Sequence, residues 1–362
     1  MGRLILHSIK ISHFRTHKLS KFSFTEKPTV IFGCNGAGKT NVLEAISLLA
    51  PGRGFRNAKA EDLSRRPELL GWKLTANIES NGNKHEICTW WNSQKNRRVT
   101  VDEKLVTQVE LGRLTRILWI TPLMDRIWLE GSSERRSFLD RIVSTIFSEH
   151  TPNLLRYHKA LRQRNKLLKD KSSDLNWFRV LEHQMASAGA EIEVARRNSL
   201  ARIVDMQAQS TSSFPAADLN LLGSDFMSAE QLEFQFGKNR EKDFWAGRTL
   251  LGPHLTDLSA VHLSKSIEAK NCSTGEQKAL LISIILAVAR IQIDQFGVMP
   301  LLLFDEVSAH LDRERRSILY DEICNLDAQV FLTGTDKMIF EDLTNQAQFF
   351  SLDTKFGETI CK

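Results

Sequence analysis

The stretch Gly33 to Thr40, GCNGAGKT, restricts this chain's architecture more than any other, because it fits G-x-x-x-x-G-K-[ST] between two differently patterned apolar runs. Thr29 to Phe32 is continuously apolar after the threonine and predicts a buried strand, whereas Val42, Leu43, Ile46 and Leu49 recur at helical spacing. A strand that turns through glycines into a helix curls its backbone so that N–H groups along Gly33, Cys34, Asn35, Gly36, Ala37 and Gly38 converge on phosphate oxygens. Lys39 then reaches the β- and γ-phosphates of a nucleotide, and Thr40 is the expected magnesium ligand. A ligand-free glycine turn is the competing reading, and the complete pattern in a strand-to-helix context speaks against it.

A second stretch supplies what such a site lacks. LLLFDEVSAHLD, Leu301 to Asp312, is an apolar strand that ends in two carboxylates at the edge where α/β proteins bind ligands. Asp305 is the expected second magnesium ligand, and Glu306 is the candidate catalytic base that orients or deprotonates the attacking water, with Lys39 holding the phosphates. A third stretch, KNCSTGEQKALL at 270–281, fits a capping box of Ser273 and Glu276 before an apolar run. The same helix end, with Ser273, Thr274, Gly275, Glu276 and Gln277, offers a hydroxyl, a close-approach glycine and a favourable dipole to an anion.

Composition bounds the rest. The 362 residues are 42% hydrophobic, enough for a sizeable core and for two or three domains. Five cysteines without a C-x-x-C pair argue against a disulfide framework and for a reducing compartment. The N-terminus carries no secretory pattern and the longest apolar run, near Ala279 to Ala289, reads as too short for a bilayer, so a cytoplasmic chain without membrane contact is expected. Lys plus Arg outnumber Asp plus Glu by 49 to 43, a basic balance that leans towards nucleic acid. One basic run comprises Arg156, Lys159, Arg162, Arg164, Lys166, Lys169 and Lys171, and another Arg53, Arg56, Lys59, Arg65 and Arg66. Either suits phosphate contact, as do Lys95, Arg97 and Arg98, and each equally suits a solvated face. The tryptophans do not interleave these runs in sequence, so no stacking platform for single strands is expected.

Short alternating strands and an Asn81-Gly82 hairpin fill the first quarter, implying an antiparallel sheet. Helix-period segments follow at 134–147, 154–169 and 175–209, and strand–helix alternation resumes after them. The expected organisation is an ATPase domain in two parts, 1–125 and 246–362, around a helical insertion at 126–245.

With the three motifs together the chain resembles the ATP-binding-cassette group, in which the third element contacts the γ-phosphate held by an opposite subunit. Further strings make the resemblance narrower: GxNGxGKTNVLEA at 33–45, GRGFR at 52–56, AED at 60–62, EGSSERRSFLDR at 130–141, GPHLTDL at 252–258, and DEVSAHLDRERRSIL at 305–319. In this order they are similar to the RecF family of bacterial recombination-repair proteins. The resemblance implies an α/β fold, a P-loop ABC/SMC-like ATPase head of mixed sheet and helices plus a helical second lobe. It implies a slow, DNA-stimulated ATPase that dimerises around two ATPs on duplex or gapped DNA and cooperates with RecR and RecO in loading RecA. Ser308, His310 and Asp312 match the loop that such dimers place at their interface, and Phe14 and Arg15 lie where related heads approach the nucleotide. Cys272 stands where cassette proteins usually have Leu. Leu123 follows Pro122 where the family has an acid, with Asp125 two residues later, no glutamine is assignable to a Q-loop, and Thr335 occupies the switch-histidine position. A transporter's nucleotide subunit and a non-hydrolysing structural module remain alternatives; the helical insertion weighs against the first and Glu306 against the second.

Overall fold

The computed structural model describes residues 2–93, 96–210, 212–223, 226–309, 311–355 and 358–361; the candidate residues Lys95 and His310 lie outside them. The chain opens with β1 (Gly2–Phe14), β2 (His17–Ser23) and β3 (Thr29–Phe32), then α1 (Lys39–Ser47). Next come β4 (Trp72–Ser80), β5 (Asn83–Trp91), β6 (Arg98–Val101), β7 (Lys104–Leu105), α2 (Gln108–Leu114) and β8 (Ile117–Ile120). Strict alternation along β4, with Trp72, Leu74, Ala76, Ile78 and Ser80 buried, fixes one face of this hairpin series against the core. β1 pairs antiparallel with β2 and β4, and β4 with β5, as the alternating pattern requires.

Helices dominate the next segment: α3 (Ser132–Ile146), α4 (His150–Lys169) and α5 (Leu175–Gln209), then β9 (Ala217–Leu222), α6 (Ala229–Lys238), α7 (Arg240–Ala246), β10 (Asp257–His262) and β11 (Ile267–Glu268). The chain closes with α8 (Thr274–Phe296), β12 (Val298–Met299), β13 (Leu301–Phe304), α9 (Arg313–Asn325), β14 (Val330–Gly334), β15 (Gln348–Lys355) and β16 (Glu358–Cys361).

Contacts divide the chain into two units, one of residues 1–126, 210–215 and 273–362, the other of 127–209 and 216–272. The second boundary therefore falls at 272, a correction to the expected 245. Its cause is strand pairing: β10 joins β9 and β11 in a three-stranded sheet, so GPHLTDL belongs to the second unit, which is not purely helical.

In the first unit the described residues form two sheets. One is the antiparallel series β12-β1-β4-β5-β6-β7 with β2 on β1, and the other runs β16-β15-β3-β14-β13-β8. From β15 to β8 all neighbours are parallel, so the P-loop strand β3 and the carboxylate strand β13 end at the same edge with β14 between them. Gln329 links the sheets through its side chain, accepting from Leu6 N (2.7 Å) and donating to Leu6 O (3.0 Å) and Thr25 O (2.8 Å). Between the sheets lies α1, whose Val42, Leu43, Ala45 and Ile46 are buried. By length and composition α8 could cross a membrane, contrary to the expectation that its apolar run is too short; its apolar residues are instead buried inside this unit.

Within the second unit α4 buries His150, Asn153, Tyr157, Ala160, Leu161, Arg164 and Leu168, the spacing of one helical face. That face packs on α5 around Met185, Ala188 and Ile192.

Candidate functional site: a phosphate loop facing paired carboxylates

Gly33 and Gly38 make the loop after β3 possible. Gly33 sits at φ 151° and Gly38 at φ 93°, and a Cβ at Gly33 would run into the Leu352 carbonyl. Lys39 is buried at the start of α1, where its Nζ donates to the carbonyls of Gly33 (2.7 Å) and Cys34 (3.0 Å) across the loop. Beneath the loop His17 is fully buried, with Nδ1 2.8 Å from Ser20 Oγ and Nε2 3.4 Å from Gly38 O. The carbonyl requires the proton on Nε2, so Nδ1 accepts from Ser20, and burial lowers the imidazole pKa to about 4. A neutral ring therefore braces the loop.

The two motifs meet through hydroxyls. Thr40 Oγ1 donates to Asp305 Oδ1 (3.0 Å), and Thr333 Oγ1 on the intervening β14 donates to the same oxygen (2.7 Å) while accepting from Glu306 N (2.9 Å). Burial raises the Asp305 pKa above the usual carboxylate range, against the lowering effect of the two threonine hydrogen bonds. A buried carboxylate held by neutral donors beside a threonine hydroxyl is the oxygen-rich pair that a hard divalent cation needs, so Thr40 and Asp305 fit magnesium. Glu306 takes a left-handed backbone (φ 47°) directly after the strand, a conformation that costs a non-glycine residue and that concentrates at functional sites. Its carboxylate makes no hydrogen bond or ion pair among the described residues, which leaves it available to a water.

Around this site the structure adds contacts that the sequence pattern did not specify. Arg15 grips the fully buried Glu44 of α1 with two hydrogen bonds (2.9 and 2.7 Å), and Arg56 donates to the same carboxylate (3.2 Å) and to Asn41 Oδ1 (3.1 Å). Arg56 also lowers the Asp305 pKa, so it stands beside the phosphate site, a different place from the DNA surface expected for it. Thr333, two residues before the expected Thr335, makes the contact to Asp305 and Glu306, and Thr335 is exposed. Asp125, out of register in the sequence pattern, pairs with Lys278 of α8 (3.0 Å), whose Nζ also donates to Ala309 O (2.7 Å) and Glu306 O (3.3 Å).

At the start of α8 the capping box is present: Ser273 N and Oγ donate to Glu276 Oε2 (2.9 and 2.8 Å), and Glu276 N donates back to Ser273 Oγ (3.4 Å). Ser273 and Thr274 are exposed and Gly275 is half-buried, whereas Gln277 is buried and its side chain is not presented outward. One further expectation, that for Ser308, is corrected by burial. Ser308 is buried and bonded to Tyr320 (2.9 Å), which in turn donates to Ile339 O (3.0 Å), so its side chain anchors the loop. Asp312 is exposed and caps α9 by accepting from Arg315 N (2.8 Å).

Of the basic residues expected on a DNA surface, Arg53, Lys159, Arg162 and Lys166 are exposed. Arg164 is fully buried, ion-paired with Glu182 (3.1 Å) and Asp243 (2.7 Å) and bonded to Thr249 (2.7 Å), so it is a core residue. Arg65 is also buried and donates to Thr16 O (3.0 Å).

A family model described as RecF/RecN/SMC N terminal domain matches residues 5–356. The DNA replication and repair protein RecF of Rhizobium rhizogenes is 39% identical over 366 residues, covering 97% of both chains. That of Brucella abortus is 39% identical over 364 residues, covering 97% of this chain and 95% of the relative. Among solved structures, the recombination mediator protein RecF with ATP aligns at a TM-score of 0.82 and 25% identity over 100% of both chains. An Smc head domain from Pyrococcus furiosus shares the fold at a TM-score of 0.57 and 15% identity, covering 99% of this chain and 96% of that one. A mixed-sheet ATPase head with these motifs, aligned end to end with such relatives, belongs to the RecF family.

Proposed function

We propose that this chain is an ATP-dependent DNA-binding protein of recombinational repair and replication-fork maintenance that uses slow hydrolysis as a switch. The observation that carries this reading is the Thr40–Asp305–Thr333 hydrogen-bonded set, which joins the phosphate loop to the strand end and leaves the Glu306 carboxylate open beside it. Gly33 to Thr40 bind the triphosphate, with Lys39 turning from its loop carbonyls to the β- and γ-phosphates. Thr40 and Asp305 would hold a magnesium ion, which when bound would neutralise phosphate charge. Glu306 orients a water towards the γ-phosphorus and accepts its proton. Thr335 stands in the sequence where the cassette group has its switch histidine, which suits slow turnover.

Ser273, Thr274 and Gly275 offer a hydroxyl and helix-end N–H groups to the γ-phosphate bound by a second copy, so that two chains enclose two ATPs. Similarity to relatives named as DNA replication and repair proteins, and to RecF structures of the RecFOR pathway, supports DNA, RecR and RecO as partners, and loading of RecA is the role that the family resemblance implies for them. The exposed Lys159, Arg162 and Lys166 of α4 and Arg53 are the candidate phosphate contacts.

Sedimentation with and without ATP and a gapped duplex tests the switch. Wild type is expected to dimerise only with ATP; Lys39→Met loses ATP binding and the dimer, whereas Ser273→Arg binds ATP and stays monomeric. Dimers that persist in Ser273→Arg would remove the second-copy contact from the mechanism.

A further inference from the structure

Far from the phosphates, the first unit holds a cavity of about 770 Å³ at the opposite end of α1. Its walls come from GRGFR and AED, the two strings to which the ATP site gives only Arg56 and a carbonyl, together with the β5–β6 hairpin and the start of α2. A floor of Leu63, Val99 and Val106 adjoins Trp91, while Arg53 and Arg98 stand on the exposed rim, their guanidinium groups without a hydrogen-bond or ion-pair partner among the described residues. In sequence Trp91 is far from Arg53, and folding brings them to one site. Ser93 and Asn96 add the hydroxyl and amide that could read a base edge.

We propose that this cavity receives an unstacked nucleotide of a nucleic acid chain, the base on Trp91 and the apolar floor and the flanking phosphate between Arg53 and Arg98. The volume lies in the range of small-ligand pockets, about 300–1,000 Å³, and so admits a whole nucleotide. An aromatic side chain beside unpaired cations is the pairing that holds single-stranded segments without sequence preference. A purely phosphate-binding surface needs no apolar floor, and a purely apolar pocket needs no arginines.

The cavity is tied to the ATP site by one helix. Arg97, whose guanidinium pKa burial lowers to about 10, donates to Leu48 O (3.1 Å), Ala50 O (3.4 Å) and Gln108 Oε1 (2.8 Å) beyond the C-terminal end of α1. Gln108 Oε1 also accepts from Gly52 N (3.0 Å), next to Arg53. Lys39 and Thr40 begin that same nine-residue helix, so an occupant fixing Gly52 and Arg53 acts on the far end of a rod about 14 Å long. Preference for unpaired DNA and response of the ATPase to it would share this element.

The inference rests on the reading that the chain acts on DNA, and the test separates the two. The full-length chain with ATP is titrated with a gapped duplex carrying 2-aminopurine at an unpaired position, and with a fully paired duplex of the same length. Wild type is expected to change the probe's fluorescence in the gapped DNA. In Arg53→Glu/Arg98→Glu that signal is lost and affinity for gapped DNA falls about tenfold more than affinity for the paired duplex, with ATP binding unchanged. Trp91→Leu should remove the fluorescence signal while phosphate contacts persist; should it fail to fold, the two exposed arginines still carry the test. Equal losses on both DNAs, or no fluorescence change in wild type that binds both, would overturn the cavity and leave DNA binding standing. A wild type that binds neither DNA would overturn both. Relief of the signal by deoxyadenosine monophosphate as effective as by gapped DNA would assign the cavity to free nucleotides instead.

Discussion

Lys278 is 1% exposed at its side chain, and three oxygens surround its amine: Asp125 Oδ2, Ala309 O and Glu306 O. Burial lowers its pKa and the Asp125 carboxylate opposes that shift. The ammonium thus ties the first turns of α8 to the backbone of the candidate base and of the loop after it. Lys278→Met should leave ATP binding intact, slow hydrolysis roughly 10–100-fold through misplacement of Glu306, and destabilise the chain by ~3 kcal/mol because Asp125 loses its cation. Adding Asp125→Leu should recover most of that stability in urea unfolding without recovering phosphate release. Wild-type turnover in the double variant would reduce Lys278 to a structural role. The sequence offered little warning of this pair. Phosphate loop, strand carboxylates and capped helix are legible because each is a local string with its own chemistry. Asp125 and Lys278 are 153 residues apart, and Thr333 owes its role to lying on the strand between β3 and β13.

At the scale of elements, α4 shows both what periodicity reveals and what it hides. Its length, its neighbour α5 and the inward stripe of Tyr157, Ala160, Leu161 and Leu168 follow from helical spacing. Arg164 shares that stripe, and a basic run read as one surface cannot separate it from Lys159, Arg162 and Lys166. Charge normally points outward, and only a buried Glu182 and Asp243, contributed by α5 and α7, reverse this. The same limit hid the three-stranded sheet, since β9 and β10 are short and separated by two helices. The helix therefore predicts two kinds of variant. Arg162→Glu/Lys166→Glu should weaken DNA binding, reduce its salt dependence and leave the melting temperature unchanged. Arg164→Leu should instead destabilise by about 3–5 kcal/mol, measured by denaturant unfolding, because Glu182 and Asp243 keep their charge without their partner. If Arg164→Leu folded normally and lost DNA affinity, the inward placement of its guanidinium would be wrong.

Over the whole molecule, each unit contains an imidazole held neutral by the same arrangement, fully buried at His17 and half-buried at His254. His17 in the first unit donates towards Gly38 O and accepts from Ser20, and His254 in the second donates to Thr249 O (3.2 Å) and accepts from Tyr157 OH (2.7 Å). Burial lowers both pKa values from 6.5 to about 4. In the unfolded chain these rings protonate below pH 6.5, whereas in the folded chain they do so only near pH 4, so between those values the unfolded state binds more protons. Stability is then complete above pH 6.5 and declines as pH falls towards 4, by roughly 3 kcal/mol for each histidine. Thermal unfolding followed at half-unit pH steps should show this decline, with His17→Gln and His254→Gln each flattening it whatever they do to stability at pH 7. Because His17 braces Gly38 only while its folded ring is neutral, ATP affinity should hold through that window and fall near pH 4, in wild type and in His254→Gln alike but not in His17→Gln. A melting temperature that stays level from pH 6.5 to 4.5 would mean that neither ring depends on remaining neutral, and the bracing of the phosphate loop would need another source.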